Sequence, residues 1–186
     1  MENKWKLYED LDKILYTKEQ IAEGVKALGK KITADYEGKD LVMVCILKGA
    51  TPFFADLIRE ISLPLSIDFM VVSSYGASTK SSGEVRMIKD LDRSINGKDV
   101  LIVEDIVDTG MTLSYLKRAL SGRGVNSIKI ASLLDKPSRR KVKLDVDYYC
   151  FQIPDAFVVG YGLDYDEMYR NLPDVGILSP KIYEKK

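Results

Sequence analysis

The sequence predicts an α/β protein built on a mostly parallel, twisted sheet flanked by helices. Short apolar runs of strand length recur along the chain, amphipathic helical stretches separate them, and turn residues mark the junctions. The run Leu-Val-Met-Val-Cys-Ile-Leu at 41–47 is apolar at every position, which suits a strand buried on both faces rather than one with a wet side.

The elements follow in order. Thr17 and Gln20 have capping-box spacing, and Ile21, Val25, Leu28 and Ile32 recur at helical intervals, so a helix should run to about Asp35 and cover one sheet face. After the strand at 41–47, Lys48-Gly49-Ala50 forms a turn. Thr51 and Pro52 read as N-cap and first residue of a helix that buries Phe54, Leu57, Ile58 and Ile61. A strand near 67–72 leads into the polar Ser/Gly/Thr/Lys segment at about 73–84, read as a mobile lid. The chain returns as a strand at 84–88, and a buried strand at 100–103 follows the turn Asn96-Gly97. Polar turn residues 104–110 then precede a helix marked by Leu113, Leu116 and Leu120 and stopped near Gly122 and Gly124. Residues 128–134 form a further strand. The tail from Asp147, broken by Pro154, Pro173 and Pro180, is expected to be irregular and to form, with the N-terminal segment, a small hood over the functional edge.

Composition narrows the function. The 186 residues, 46% apolar and 30% charged, suffice for one compact domain with a sizeable core. Lys plus Arg and Asp plus Glu both number 28, so no global field draws the chain to nucleic acid or an acidic membrane, and any ion site must be local. The first residues lack an apolar signal core and no stretch approaches the ~20 apolar residues of a membrane span, which leads to a cytoplasmic expectation. Cys45 and Cys150 sit among apolar or aromatic neighbours and read as buried free thiols, a disulfide being the second reading. Histidine is absent, which removes His-based triads and most zinc sites. Acid-base work therefore falls to carboxylates or lysine, and a metal should be hard and oxygen-bound.

In open sheets of this kind ligands bind beyond the carboxyl ends of the strands, which directs attention to the loops after Leu47, Val103 and Leu134. The segment at 100–112, Val-Leu-Ile-Val-Glu-Asp-Ile-Val-Asp-Thr-Gly-Met-Thr, places two acids at a strand's end and Asp-Thr-Gly-x-Thr at the start of a helix. Backbone N–H groups there favour an anion, Gly110 permits close approach, and the hydroxyls of Thr109 and Thr112 add donors. Glu104 and Asp105 can accept from ribose hydroxyls. An isolated Asp-Thr-Gly is usually a plain turn and cap, but the whole arrangement reads as a sugar-phosphate cradle. A Walker loop is not available, because its Gly-Lys-Ser/Thr ending is missing.

That segment resembles the phosphoribosyl-pyrophosphate signature of type I phosphoribosyltransferases. Leu47-Lys-Gly-Ala50, Ser74-Tyr75, Asp135-Lys-Pro-Ser138 and Phe157-Val-Val-Gly-Tyr-Gly-Leu-Asp-Tyr-x-Glu-x-Tyr-Arg170 are similar to motifs of the hypoxanthine-guanine phosphoribosyltransferases, in the family's order, over roughly residues 7–179. The resemblance implies the type I phosphoribosyltransferase fold and a magnesium-dependent transfer of ribose 5-phosphate from phosphoribosyl pyrophosphate to a 6-oxopurine.

The resemblance also implies roles. Asp108 lies beside the purine's imidazole nitrogens and manages the proton there, while residues Asp108, Thr109, Gly110, Met111 and Thr112 hold the 5′-phosphate. Lys136 donates to the 6-oxygen, which a cation can do for an oxopurine but not for the exocyclic amine of adenine. Phe157 stacks on the base and the backbone of Val158 reads its edge. Lys48, Gly49 and Arg170 contact pyrophosphate, Asp164 faces the magnesium bound to it, and Glu104 and Asp105 sit near ribose and metal. Ser74 and Tyr75 belong to the lid, and the Leu47–Lys48 bond is expected to be cis. The bland readings are a helix cap for Asp108, a solvated basic run for Lys136, Arg139, Arg140, Lys141 and Lys143, plain core for Phe157 and exposed ion pairing for Asp164 and Arg170; of the basic run, Lys136 alone is assigned a function. The chain departs from the family's pattern at Ala50, often a glycine, and at Met111, often a lysine. A xanthine-preferring enzyme and an RNA-binding regulator using the patch at 139–143 are the alternative readings. The family further implies a homodimer or homotetramer.

Overall fold

The computed structural model describes residues 6–74 and 85–184. Most of the segment read as a lid, Tyr75 included, lies outside the described residues, and so does the side chain of Ser74.

The first helix begins where the capping box predicts. In α1 (Lys18–Asp35) the Thr17 hydroxyl accepts from the Gln20 N–H at 3.4 Å, and the Thr17 N–H donates back to Gln20 Oε1 at 2.9 Å. Ile21, Val25, Leu28 and Ile32 form its buried stripe. The run at 41–47 becomes β2 (Leu41–Leu47), flanked in parallel by β3 (Leu65–Ser74) and β5 (Asp99–Val107). Next to β5 lie β6 (Ser127–Asp135) and then β7 (Tyr148–Gln152), both parallel, while β4 (Val85–Lys89) closes the opposite edge antiparallel to β3. The sheet therefore has six strands in the order β4-β3-β2-β5-β6-β7.

Continuous apolarity in the central strands has a plain cause, since each strand feeds two cores at once. Met43, Cys45, Leu101 and Val103 pack with α1 and α2 (Thr51–Glu60) on one face. Their neighbours Val42, Val44, Val100 and Ile102 pack with Leu113, Leu116 and Leu120 of α3 (Met111–Ser121) on the other. Burying each such side chain stabilises the fold by roughly 1.5–3 kcal/mol.

Three expectations need correction. Ala50, not Thr51, is the N-cap of α2, because Thr51 has already entered the helix and its hydroxyl donates to the Lys48 carbonyl at 2.6 Å. The strand read at 100–103 runs on to Val107, so Glu104 and Asp105 are strand residues rather than turn residues, held by pairing of β5 with β6 down to Val107 opposite Asp135. The tail from Asp147 is irregular only in part. Its first part, β7, extends the main sheet, where Leu134 pairs with Phe151. Its later part supplies β8 (Val158–Val159) and β9 (Val175–Leu178), which join β1 (Leu11–Tyr16) in a three-stranded antiparallel sheet ordered β1-β9-β8. A small core of Val159, Tyr169, Leu172 and Leu178 fastens that sheet, and a short helix, α4 (Pro180–Tyr183), follows it. Sequence periodicity missed β7 to β9 because strands of two to five residues carry too few alternations to register.

Candidate active site

The parallel strands end on one side of the sheet, and the loops there enclose a cleft of about 600 Å³. Its walls come from the turn after β2, the last residues of β5, the start of α3, and Asp164 and Arg170 from the loop between β8 and β9. A second hollow of about 280 Å³ adjoins it, lined by Lys136, Phe157 and Val158. Asp105, Ile106, Asp108 and Asp164 border both.

The two acids of β5 sit on the floor. Glu104 Oε1 accepts from the Asp105 N–H at 3.2 Å, and Asp105 Oδ1 accepts from the Ile106 N–H at 2.6 Å. Burial pushes both carboxyls above their ordinary range, and the adjacent Asp105 charge pushes Glu104 further. A site that raises both groups favours arrival of a cation or of hydroxyl donors. Among the described residues, however, no three acid or thiol side chains are gathered closely enough to hold a metal by themselves. Glu104, Asp105 and Asp164 share the cleft without forming a cage, since Asp164 is engaged by Arg170 Nη2 at 2.8 Å and by the Glu167 N–H at 3.0 Å.

The loop that leads into α3 turns on Gly110, the N-cap of that helix, which has φ 78°. Glycine adopts that left-handed conformation without penalty, and the turn brings the first amides of an 11-residue helix to the cleft. Thr109 and Thr112 line the cleft. Met111 is the first helical residue; its N–H donates to Thr109 Oγ1 at 3.4 Å and its side chain is exposed. A thioether there adds nothing to an anion site, so any contribution from Met111 comes through its backbone.

Asp108 borders both hollows, and its Oδ1 is buried without a hydrogen bond although Arg139 Nε lies 3.4 Å away. Lys136 is buried, unlike Arg139, Lys141 and Lys143 of the same run. Its ammonium donates to the Ala156 carbonyl at 2.8 Å and lies 3.7 Å from Asp155. Phe157 is exposed for its size at 40% and is held by two tyrosines: Tyr183 stacks on one of its faces with centroids 5.1 Å apart, and Tyr165 meets it edge-on at 5.7 Å.

The Leu47–Lys48 peptide bond is cis, and the Lys48 ammonium pairs with Glu167 at 3.0 Å. Gly49 packs against the loop between β8 and β9: a Cβ on Gly162 would lie 2.0 Å from the Gly49 carbonyl. In that loop Tyr161, Asp166, Glu167 and Tyr169 all have positive φ, between 49° and 75°, an uncommon conformation for residues with a side chain. Arg170 Nη1 donates to the Gly162 carbonyl at 2.8 Å, while its Nε is buried without a partner.

The sequence reading assigns no role to Asp135, Arg140, Tyr165 or Glu167, although it names them, and passes over Tyr183. Arg140 was set among the solvated cations, yet its guanidinium pairs with the buried Asp135. Nothing in spacing separates it from its basic neighbours.

A parallel sheet whose fifth strand carries paired acids toward a glycine-led helix start is the arrangement of a phosphoribosyltransferase, and the profile of the phosphoribosyl transferase domain matches residues 13–166. The hypoxanthine-guanine phosphoribosyltransferase of Streptococcus thermophilus (strain CNRZ 1066) is 52% identical over 179 residues, covering 96% of this chain and 99% of its own. That of Bacillus subtilis (strain 168) is 55% identical over 175 residues, covering 94% and 97%. A solved hypoxanthine phosphoribosyltransferase from Staphylococcus aureus superposes with a TM-score of 0.94 at 53% identity, over 98% of this chain and 99% of that one. The chain belongs to the hypoxanthine-guanine phosphoribosyltransferase family. Neither the xanthine-preferring nor the RNA-binding reading gains support from these relatives.

Proposed function

We propose that the chain serves purine salvage by transferring the 5-phosphoribosyl group of phosphoribosyl pyrophosphate to hypoxanthine or guanine, giving IMP or GMP and pyrophosphate. The observation that carries this reading is the shared border of the two hollows. A sugar phosphate in the larger and an oxopurine in the smaller meet at Asp105, Ile106, Asp108 and Asp164.

On this reading each residue has a task that its surroundings suit. The amides and hydroxyls from Thr109 to Thr112 hold the 5′-phosphate, and Glu104 and Asp105 accept from the ribose hydroxyls. Lys48 and Gly49, with Arg170, bind pyrophosphate. Lys136 donates to the purine 6-oxygen, Phe157 stacks on the ring and the Val158 backbone reads its edge. Asp108, its carboxylate oxygen free of hydrogen bonds, takes the proton at the imidazole edge of the base.

The acids also fit magnesium. Two half-buried carboxylates with raised proton affinity, and Asp164 across the cleft, would supply oxygen ligands for an ion that normally keeps substrate phosphates and waters in its shell. Bound there, it would supply positive charge to offset the charge that develops on the departing pyrophosphate. The three-stranded sheet of β1, β8 and β9 acts as the hood. Assembly as a homodimer or homotetramer and a cytoplasmic address belong to the same reading. No helix among the described residues is long and apolar enough to cross a membrane.

The test is one assay. The protein is mixed with phosphoribosyl pyrophosphate and magnesium and offered hypoxanthine, guanine, xanthine or adenine. IMP and GMP should form and AMP should not; conversion of adenine at a comparable rate, or of xanthine in preference, contradicts the reading.

A further inference from the structure

We infer that Arg140 is a positioning residue of the 5′-phosphate site: its guanidinium turns the phosphate loop so that the loop's amides, not its carbonyls, face the ligand. The inference rests on the functional reading above, which places a phosphate at that loop.

The argument starts from where the loop's carbonyls go. A peptide unit that aims its N–H at an anion must aim its C=O the opposite way, and a carbonyl left unpaired there carries a desolvation penalty. In this chain the loop carbonyls are taken up in succession. That of Val107 accepts from the Lys136 N–H at 3.0 Å and from Arg140 Nη1 at 2.9 Å. That of Asp108 accepts from the same Nη1 at 2.6 Å. That of Thr109 accepts from the Lys141 N–H at 3.0 Å, and that of Gly110 from the Ser114 N–H of α3 at 2.9 Å. The segment 136–141 is thus a strap along the back of the loop, and Arg140 is the one side chain in it that reaches two successive carbonyls.

Arg140 is itself fixed. Its Nη2 donates to Asp135 Oδ1, a buried carboxylate at the end of β6, so the guanidinium ties the loop to the sheet. Its side chain is only 15% exposed. Its stem closes the same space, for a Cβ on Gly110 would lie 3.0 Å from Arg140 Cδ. A planar fork can serve two carbonyls and a carboxylate at once, whereas a lysine ammonium is a point donor on a flexible stem.

The experiment compares two ligands that differ only in the phosphate, IMP and inosine, by calorimetric titration of the wild type, Arg140→Lys and Asp135→Asn. Wild type should prefer IMP. In Arg140→Lys the affinity for IMP should fall by about 10- to 100-fold with that for inosine unchanged, as expected when donors to an ionised group are misdirected. In steady-state assays the KM for phosphoribosyl pyrophosphate should rise while kcat stays within a few-fold. Asp135→Asn, which keeps an acceptor but loses the charge that anchors the fork, should show a smaller loss of the same kind. An IMP to inosine ratio equal to wild type in Arg140→Lys, or equal weakening of both ligands, overturns the assignment. Should Arg140→Lys fail to fold, the ratio in Asp135→Asn decides by the same criterion. A wild type that does not prefer IMP overturns the functional reading itself, and the assignment with it.

Discussion

Gly49 and Asp105 are packed so closely that a Cβ on Gly49 would lie 1.7 Å from Asp105 Oδ2 and 2.8 Å from its Cγ. The turn after β2 and the acid pair of β5 therefore hold one another in place, and this contact joins two walls of the cleft.

Gly49→Ala is accordingly expected to displace the Asp105 carboxylate or the 47–49 turn. Misplacement of about 1 Å in a site costs on the order of 10²-fold in rate. The variant should lose about that much in kcat/KM while its thermal unfolding midpoint changes little; near-normal turnover would show that the turn and the acid move independently.

Lys136 has its ammonium buried against the Ala156 carbonyl, beside the face of the hollow assigned to the purine. A hydrogen bond from a charged donor contributes roughly 1.5–3 kcal/mol. Lys136→Ala should therefore raise the KM for hypoxanthine by about 10- to 100-fold and leave that for phosphoribosyl pyrophosphate much less affected. Equal losses for both substrates would remove Lys136 from base recognition.

Asp108→Asn keeps the size of the side chain and its place beside Arg139 but removes the capacity to take a proton. If proton transfer is its task, kcat should drop by about 10²- to 10⁴-fold with both KM values near wild type. Single-turnover measurements separate this from a slower product release.

Glu104 gives a pH-dependent stability. Burial, reinforced by Asp105, raises its carboxyl well above the ordinary value, so the folded chain keeps a proton that the unfolded chain releases. The resulting contribution is fully present below the unfolded value and is lost as pH rises through the folded one. Glu104→Gln removes this loss. In magnesium-free buffer its melting temperature, taken relative to that of wild type, should therefore rise as the pH increases above the ordinary carboxyl range. A margin independent of pH would mean that the carboxyl is not desolvated as its position in β5 indicates.

Much of the fold follows from short-range pattern. The capping box at Thr17 and Gln20, the stripe from Ile21 to Ile32 and the unbroken apolar run at 41–47 are each decided by residues a few positions apart. The same locality made the acid pair and the Asp-Thr-Gly turn legible, because the strand, the turn and the helix start are consecutive in the chain. Beyond that range the reading thinned. Periodicity gave no account of β7, β8 and β9, and it ended β5 early because acids at a sheet's ligand-facing end look like a turn.

The sequence by itself determined the sheet-and-helix alternation and the run of paired acids leading to a glycine-led helix start, while the roles toward a purine came from the family resemblance. Tertiary structure alone decided how they are held: the seat of Gly49 between Asp105 and Gly162, the tyrosines around Phe157, the burial of Lys136 among exposed cations, and Arg140 behind the loop. The reason is physical. Helix caps and apolar stripes are set by dihedral preferences and by spacing within a turn or two, whereas these contacts join segments distant in the chain, and their donors and acceptors acquire partners only when the whole sheet has formed.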